Sequence, residues 1–241
     1  MASTVIKNWD NKTWLSSQDY IDKFNKFLLK NIKLNSNSII LDIGCGRGKI
    51  LGNLKSKLKL RTKPFGIDII NHKDKDKRIN FKKTNALKFF DKNKHKFDLI
   101  LIKQTIHLLS LNEIKKLLKI VKKKLTSRGK IFIFSLDTDN NEIPAFKLMK
   151  SRLSKSLMRD KKILDVVVKS NPQIIKKKFF YKVKITKKKY LNMIHNRYIS
   201  TLLTFTKEEL SAGLRELNLK YGQDIRFKDK LICIILQNSF K

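Results

Sequence analysis

The chain has 241 residues, 41% hydrophobic and 32% charged, which fits a globular protein with a sizeable core and excludes a disordered one. No apolar run of about 18 residues interrupts the charge, so no segment is expected to span a membrane. The formal net charge is +36, and the two cysteines, Cys45 and Cys233, are too few for a disulfide framework or a zinc site.

Residues 1–11 lack the apolar core of a signal peptide, and with so few cysteines a reduced, cytoplasmic protein is expected. Ser17 precedes an amphipathic helix over 20–32, with Tyr20, Ile21, Phe24, Phe27, Leu28 and Ile32 on one face. Strands are predicted at 39–43, 65–69, 79–83, 98–102 and 130–135. Helical patterns lie between them, at about 48–60 and at 112–125, the latter capped by Asn112 and followed by Gly129. Strands that alternate with helices imply a parallel sheet with crossover helices.

The pattern changes after Leu136. A turn-rich stretch, 137–144, leads into a basic and partly helical segment ending near Ile175. A strand is predicted at 178–186 and a helix at 187–203. Thr206 with Glu209 forms a capping box for a further helix, and 230–237 reads as a last strand. The expected organisation is one domain: an N-terminal lid and first helix (1–34), a core (35–140), a cap (141–200), and a final helix and strand (201–241).

Of the 56 basic residues only nine are arginine. Lys, Ile, Asn and Phe have AT-rich codons, so compositional drift competes with a nucleic-acid partner as the source of the charge. The bias is strongest in 141–200, with seventeen basic and three acidic residues. Because bidentate phosphate recognition favours arginine, drift with solvated lysine faces is the preferred reading.

The most informative stretch is "LDIGCGRGK", residues 41–49, directly after the first predicted strand. It is too short for a Walker loop, and Ile50 follows Lys49 where a hydroxyl is needed. It also misplaces the third glycine of a dinucleotide fingerprint. What remains is Asp-x-Gly-x-Gly-x-Gly, which resembles motif I of the class I S-adenosylmethionine-dependent methyltransferases. The resemblance covers about residues 35–140. It implies a Rossmann-like, doubly wound α/β fold: a seven-stranded sheet, mostly parallel with an antiparallel last strand, plus a cap in the C-terminal half. It also implies S-adenosylmethionine as cofactor, with the loop residues Asp42, Gly44, Cys45 and Gly46 at its methionine end.

Further signals follow in order. Asp68 closes the second strand, where an acidic side chain can accept both ribose hydroxyls, with Ile69 beside it. Asn85-Ala86 stands where the family usually has Asp-Ala near the adenine. "FDLILIKQTIHLL", 97–109, resembles the motif IV strand and loop, with Lys103, Gln104 and His107 just past the strand end. In the family a segment such as 8–14, with Trp9 and Trp14, often closes over the donor; stapling the first helix to the body is the competing role for these tryptophans.

The acceptor is less legible. No Asp/Asn-Pro-Pro-Tyr follows the fourth strand, and neither cysteine suits pyrimidine C5 chemistry, so a small-molecule acceptor is favoured over nucleic acid. Within the cap Tyr190, Ile194, Arg197 and Tyr198 share a helical face beside His195, a cluster suited to an anionic acceptor. His107 and His195 are the candidate bases. The four histidines are scattered, so no metal is expected.

Overall fold

The computed structural model describes residues 13–171 and 173–237. Trp9 and the rest of the expected lid up to residue 12 lie outside the described residues. After a 3-10 turn, Trp14–Ser16, the elements are α1 (Gln18–Asn31), β1 (Ile40–Ile43), α2 (Lys49–Lys57), β2 (Phe65–Asp68), β3 (Asn80–Lys83), α3 (Ala86–Lys92), β4 (Phe97–Lys103), α4 (Leu111–Lys123), β5 (Leu125–Leu136), α5 (Lys147–Lys169), β6 (Ile174–Thr186), α6 (Lys187–His195), α7 (Lys207–Lys220) and β7 (Asp224–Gln237).

The seven strands form one sheet in the order β3-β2-β1-β4-β5-β7-β6. The first five are parallel, and β7 runs antiparallel to both its neighbours. The strand order reverses between β1 and β4, which opens a crevice at the carboxyl ends of those strands. Both faces of the central strands are buried, as a parallel sheet with crossover helices requires. Ile40, Leu99, Leu101, Phe132 and Phe134 join the core under α1 and α2. Leu41, Ile100, Ile102, Ile131 and Ile133 join the core under α3 and α4.

Local chemistry explains the helix starts. The Ser17 hydroxyl accepts from the Tyr20 N–H at α1. Capping boxes Ser110/Glu113 and Thr206/Glu209 begin α4 and α7. The cap of α4 is therefore Ser110, not the expected Asn112, because a glutamate three residues on satisfies a second orphan N–H.

Three elements differ from the sequence reading. The first is β6, which belongs to the sheet as its edge strand, so most of the expected cap is sheet and helix of the main body. Secondly, β7 begins at Asp224 rather than 230. Its Asp224–Lys230 half pairs only with Phe180–Thr186 of β6, because β5 ends opposite Leu231. The two strands thus extend as a ribbon past the end of β5 by about 20 Å. The third difference is the predicted helix 187–203, which stops at His195. The Arg197 N–H bonds to the Ile194 carbonyl and the Tyr198 N–H to the Met193 carbonyl, a Schellman closure. Arg197 adopts φ +54° there, where glycine is usual. A 3-10 turn, Ser200–Thr204, follows. Residues 187–205 are thus carried on the end of the ribbon.

Candidate active site

The glycine loop leaves β1 under tight backbone control. Gly44, Gly46 and Gly48 have φ of +75°, +55° and +71°, a region that L side chains seldom enter. The N–H groups of Gly44 and Cys45 both donate to the Ile67 carbonyl, at 2.8 and 3.0 Å. The Gly46 N–H donates to Asp68 Oδ2 at 2.9 Å.

The glycines do different jobs. A Cβ on Gly44 would lie 2.1 Å from Thr105 Oγ1, and one on Gly48 would lie 2.1 Å from Ile79 Cδ1. Gly44 is therefore required by packing against Thr105. A Cβ on Gly46 would meet nothing within 4 Å. Of the three loop glycines, Gly46 is the one that faces open space.

Two carboxylates flank this loop. Asp42 is buried, and its Oδ1 makes no hydrogen bond. Burial pushes its carboxyl up to about 7, although the Lys103 charge opposes the shift. Asp68, at the tip of β2, accepts from Gly46 through Oδ2 and from the Ile70 N–H through Oδ1, at 2.9 Å each. The His72 ring lies 3.9 Å from Asp68 Oδ2. Ile69 beside it is 58% exposed. The Cys45 thiol is held well above its usual range by burial, so it is no nucleophile at neutral pH. Asn85 caps α3, its side-chain oxygen accepting from the Lys88 N–H at 2.9 Å, and Ala86 is the first helical residue.

On the other side of the crevice Lys103 ends β4. Its ammonium reaches Gln104 Oε1 at 3.1 Å and lies over the Tyr20 and Phe24 rings at 5.4 and 5.6 Å. Gln104 adopts φ +51°. The Lys103 charge acts on both Asp42 and Asp229, so it links the donor loop to the ribbon.

Asp229 lies outside the motifs legible in the sequence. It is 1% exposed and accepts from Trp14 Nε1 at 2.9 Å. Burial pushes its carboxyl up, while the Trp14 bond and the Lys103 charge pull it down. Trp14 stands edge-on to Tyr198 and Phe227, at 5.5 and 5.1 Å. The Tyr20 hydroxyl nearby is buried and makes no hydrogen bond. The signal for Asp229 was its parity with Phe227 and Leu231 on one strand face, visible only once β7 is extended back to Asp224. Trp14 thus does staple the segment before α1 to the body, through the carboxylate of Asp229.

The expected Arg-His-Tyr cluster does not assemble. Tyr190 and Tyr198 point inward: their hydroxyls are 3.3 Å apart, and the Tyr190 hydroxyl donates to the Pro144 carbonyl at 2.5 Å. His195 is exposed at the end of α6. Arg197 Nη1 donates to the Leu202 carbonyl, because the Schellman turn folds its side chain back over the 3-10 turn. His107 stands apart on a 3-10 turn after β4, and Arg159 donates to its carbonyl at 3.0 Å. Burial, aided by Arg159, lowers the His107 pKa to about 4, so its ring is neutral at pH 7.

A surface depression lined by Ile39, Thr62, Lys63, Phe65 and His95 lies at the opposite, amino-terminal ends of the strands. No functional side chains converge there. Among the described residues no His, Cys, Asp and Glu cluster could hold a metal ion, and no helix is long and apolar enough to cross a membrane.

The family model described as "Methyltransferase domain" matches residues 34–197. Among solved structures, the chain is similar to a putative methyltransferase from an antibiotic biosynthesis pathway of Anabaena variabilis. Identity is 13%, with 90% of this chain and 97% of that one covered and a TM-score of 0.59. It is also similar to a precorrin 8w decarboxylase of Methanobacterium thermoautotrophicum, at 10% identity, 90% coverage of each chain and a TM-score of 0.53. A third is the plantazolicin methyltransferase BpumL, solved with a pentazolic desmethylPZN analog and SAH. There identity is 19%, coverage 91% and 83%, and the TM-score 0.50. No curated protein sequence matches the chain.

Proposed function

The chain belongs to the methyltransferase domain family, and from that premise we propose that it methylates a small-molecule acceptor that carries an anionic group. The methyl donor is S-adenosylmethionine, and the chain is an enzyme of the transferase class. When bound, the donor supplies an electrophilic sulfonium methyl. Alignment of the acceptor and removal of any proton fall to the protein.

The residues at the crevice fit this donor. Gly46 offers an open cradle beside a carboxylate. The unpaired Oδ1 of Asp42 suits an ammonium group. Asp68 keeps lone pairs for ribose hydroxyls beyond its two backbone bonds. Asn85 has a second lone pair on its capping oxygen, and Ala86 a backbone N–H, for the adenine edge. Exposed Ile69 would cover an adenine face, and Lys103 with Gln104 would border the methionine end. The observation that carries the reading is the pairing of Gly46 and Asp68.

On the acceptor side, the ring wall of Trp14, Tyr198 and Phe227 supports a small, largely apolar body. Arg197 spends one N–H on the Leu202 carbonyl, and its remaining donors suit an anionic group at the mouth. Asp229 is the buried carboxylate nearest these rings and would take a proton from a hydroxyl acceptor. His107, neutral at pH 7, is a second candidate base. We read the described chain as one domain with the acceptor region at 187–205, and its location as cytoplasmic, in keeping with two unpaired cysteines. The test is calorimetric titration with S-adenosylmethionine, then turnover to S-adenosylhomocysteine with carboxylate-bearing acceptors. No binding in the first step would end the donor assignment; turnover with uncharged acceptors alone would end the anionic one.

A further inference from the structure

The β6–β7 ribbon has two unlike faces beyond the end of β5. Val183, Ile185, Ile225, Phe227 and Asp229 are buried on one. The other carries Phe180, Lys182 and Lys184 from β6, with Arg226, Lys228 and Lys230 from β7. The register sets Phe180 opposite Lys230, Lys182 opposite Lys228, and Lys184 opposite Arg226. Like charges placed directly across an antiparallel pair destabilise it. Carboxylates relieve part of this strip, Glu142 at Lys230 (2.5 Å) and Asp224 at Lys184 (3.4 Å). Among the described residues no ion pair reaches Lys182, Arg226 or Lys228, and all three are exposed. At the end of the strip nearest the main sheet, the Phe180 ring is 61% exposed. Compositional drift explains many lysines, but it explains neither their facing one another across a ladder nor an exposed ring at one end of it.

We propose that this ribbon face docks single-stranded nucleic acid, with phosphates on Lys182, Arg226 and Lys228 and a base stacked on Phe180. Side chains two apart on a strand repeat about every 6.7 Å, which suits contacts to a backbone running along the ribbon. A stacked ring flanked by cations is the usual platform for an unpaired strand. An acidic peptide would use the cations and leave the ring idle. A membrane surface would want more apolar side chains than one.

The test uses the full chain and a fluorescein-labelled oligouridylate of about 12 nucleotides, followed by anisotropy across a salt series. Three phosphate contacts predict a log–log salt slope of about −2. The variant Lys182→Gln/Lys228→Gln should flatten the slope by about 1.4, and Phe180→Ala should weaken binding by about 5- to 150-fold. The control is Lys115→Gln/Lys119→Gln, which removes the same charge from the exposed face of α4 and should change little. Equal losses from both double variants would overturn the proposal in favour of the diffuse field of a +36 chain. Tighter, Phe180-dependent binding to phosphatidylserine vesicles would overturn it in favour of a lipid surface. Gly46→Val alters only the donor cradle and should leave oligonucleotide binding intact, so this reading and the methyltransferase reading fail separately.

Discussion

The Asp68 carboxylate carries two burdens, and substitution separates them. It ties the glycine loop to β2 by accepting from the Gly46 and Ile70 N–H groups at 2.9 Å each, and in the proposed complex it also accepts from the donor ribose. A hydrogen bond to a charged group is worth about 1.5–3 kcal/mol. Asp68→Ala should therefore weaken S-adenosylmethionine by about 10- to 150-fold. The alanine also frees the Gly46 N–H, so the loop should loosen and thermal stability should fall with affinity. Asp68→Asn keeps one acceptor oxygen and most of the shape, so it should retain more of the stability than of the affinity. Isothermal titration with S-adenosylmethionine and S-adenosylhomocysteine, beside thermal unfolding of both variants, reads the two effects apart. Wild-type affinity in Asp68→Ala would refute the assignment of the β2 tip to the ribose.

Four further outcomes are expected. Gly46→Val should abolish donor binding yet leave a folded protein, at a cost of about 1–2 kcal/mol for a side chain at positive φ; circular dichroism and calorimetry check both halves. Donor affinity should rise with pH through about 7, because the raised Asp42 carboxyl must ionise to hold an ammonium. Stability runs the other way, since a raised carboxyl pKa favours the fold below about 4 and loses that advantage as pH climbs to about 7. Asp42→Asn should flatten both profiles. Trp14→Phe keeps the ring contacts but strips Asp229 of its indole donor, so urea unfolding should show a loss of about 1–3 kcal/mol. Arg197→Met should cut turnover of an anionic acceptor while sparing donor affinity; equal loss of both would make Arg197 a support of the 3-10 turn alone.

What the sequence determined by itself was local and periodic. Three glycines after an apolar run, Asp68 twenty residues past Gly48, and alternating strand and helix patterns specified the crevice half of the sheet, because chain neighbours build it. The capping box at Thr206 obeys the same near-neighbour logic, as does the one at Ser110 that the structure shows in place of Asn112. The tertiary structure decided whatever depends on distant partners. Gly44 answers to Thr105 across the crevice, and only the packed strands reveal that clash. The membership of β6 in the sheet rests on a ladder with β7, some fifty residues away, and no periodicity within 141–200 distinguishes such an edge strand from part of a cap. Arg197 follows a helix pattern that continues to 203, yet the backbone closes at Asn196 and turns its side chain onto a carbonyl. Asp229 takes its hydrogen bond from Trp14, 215 positions earlier in the chain. A buried carboxylate is tolerated where a fixed donor meets it, and that donor came from the far end of the chain.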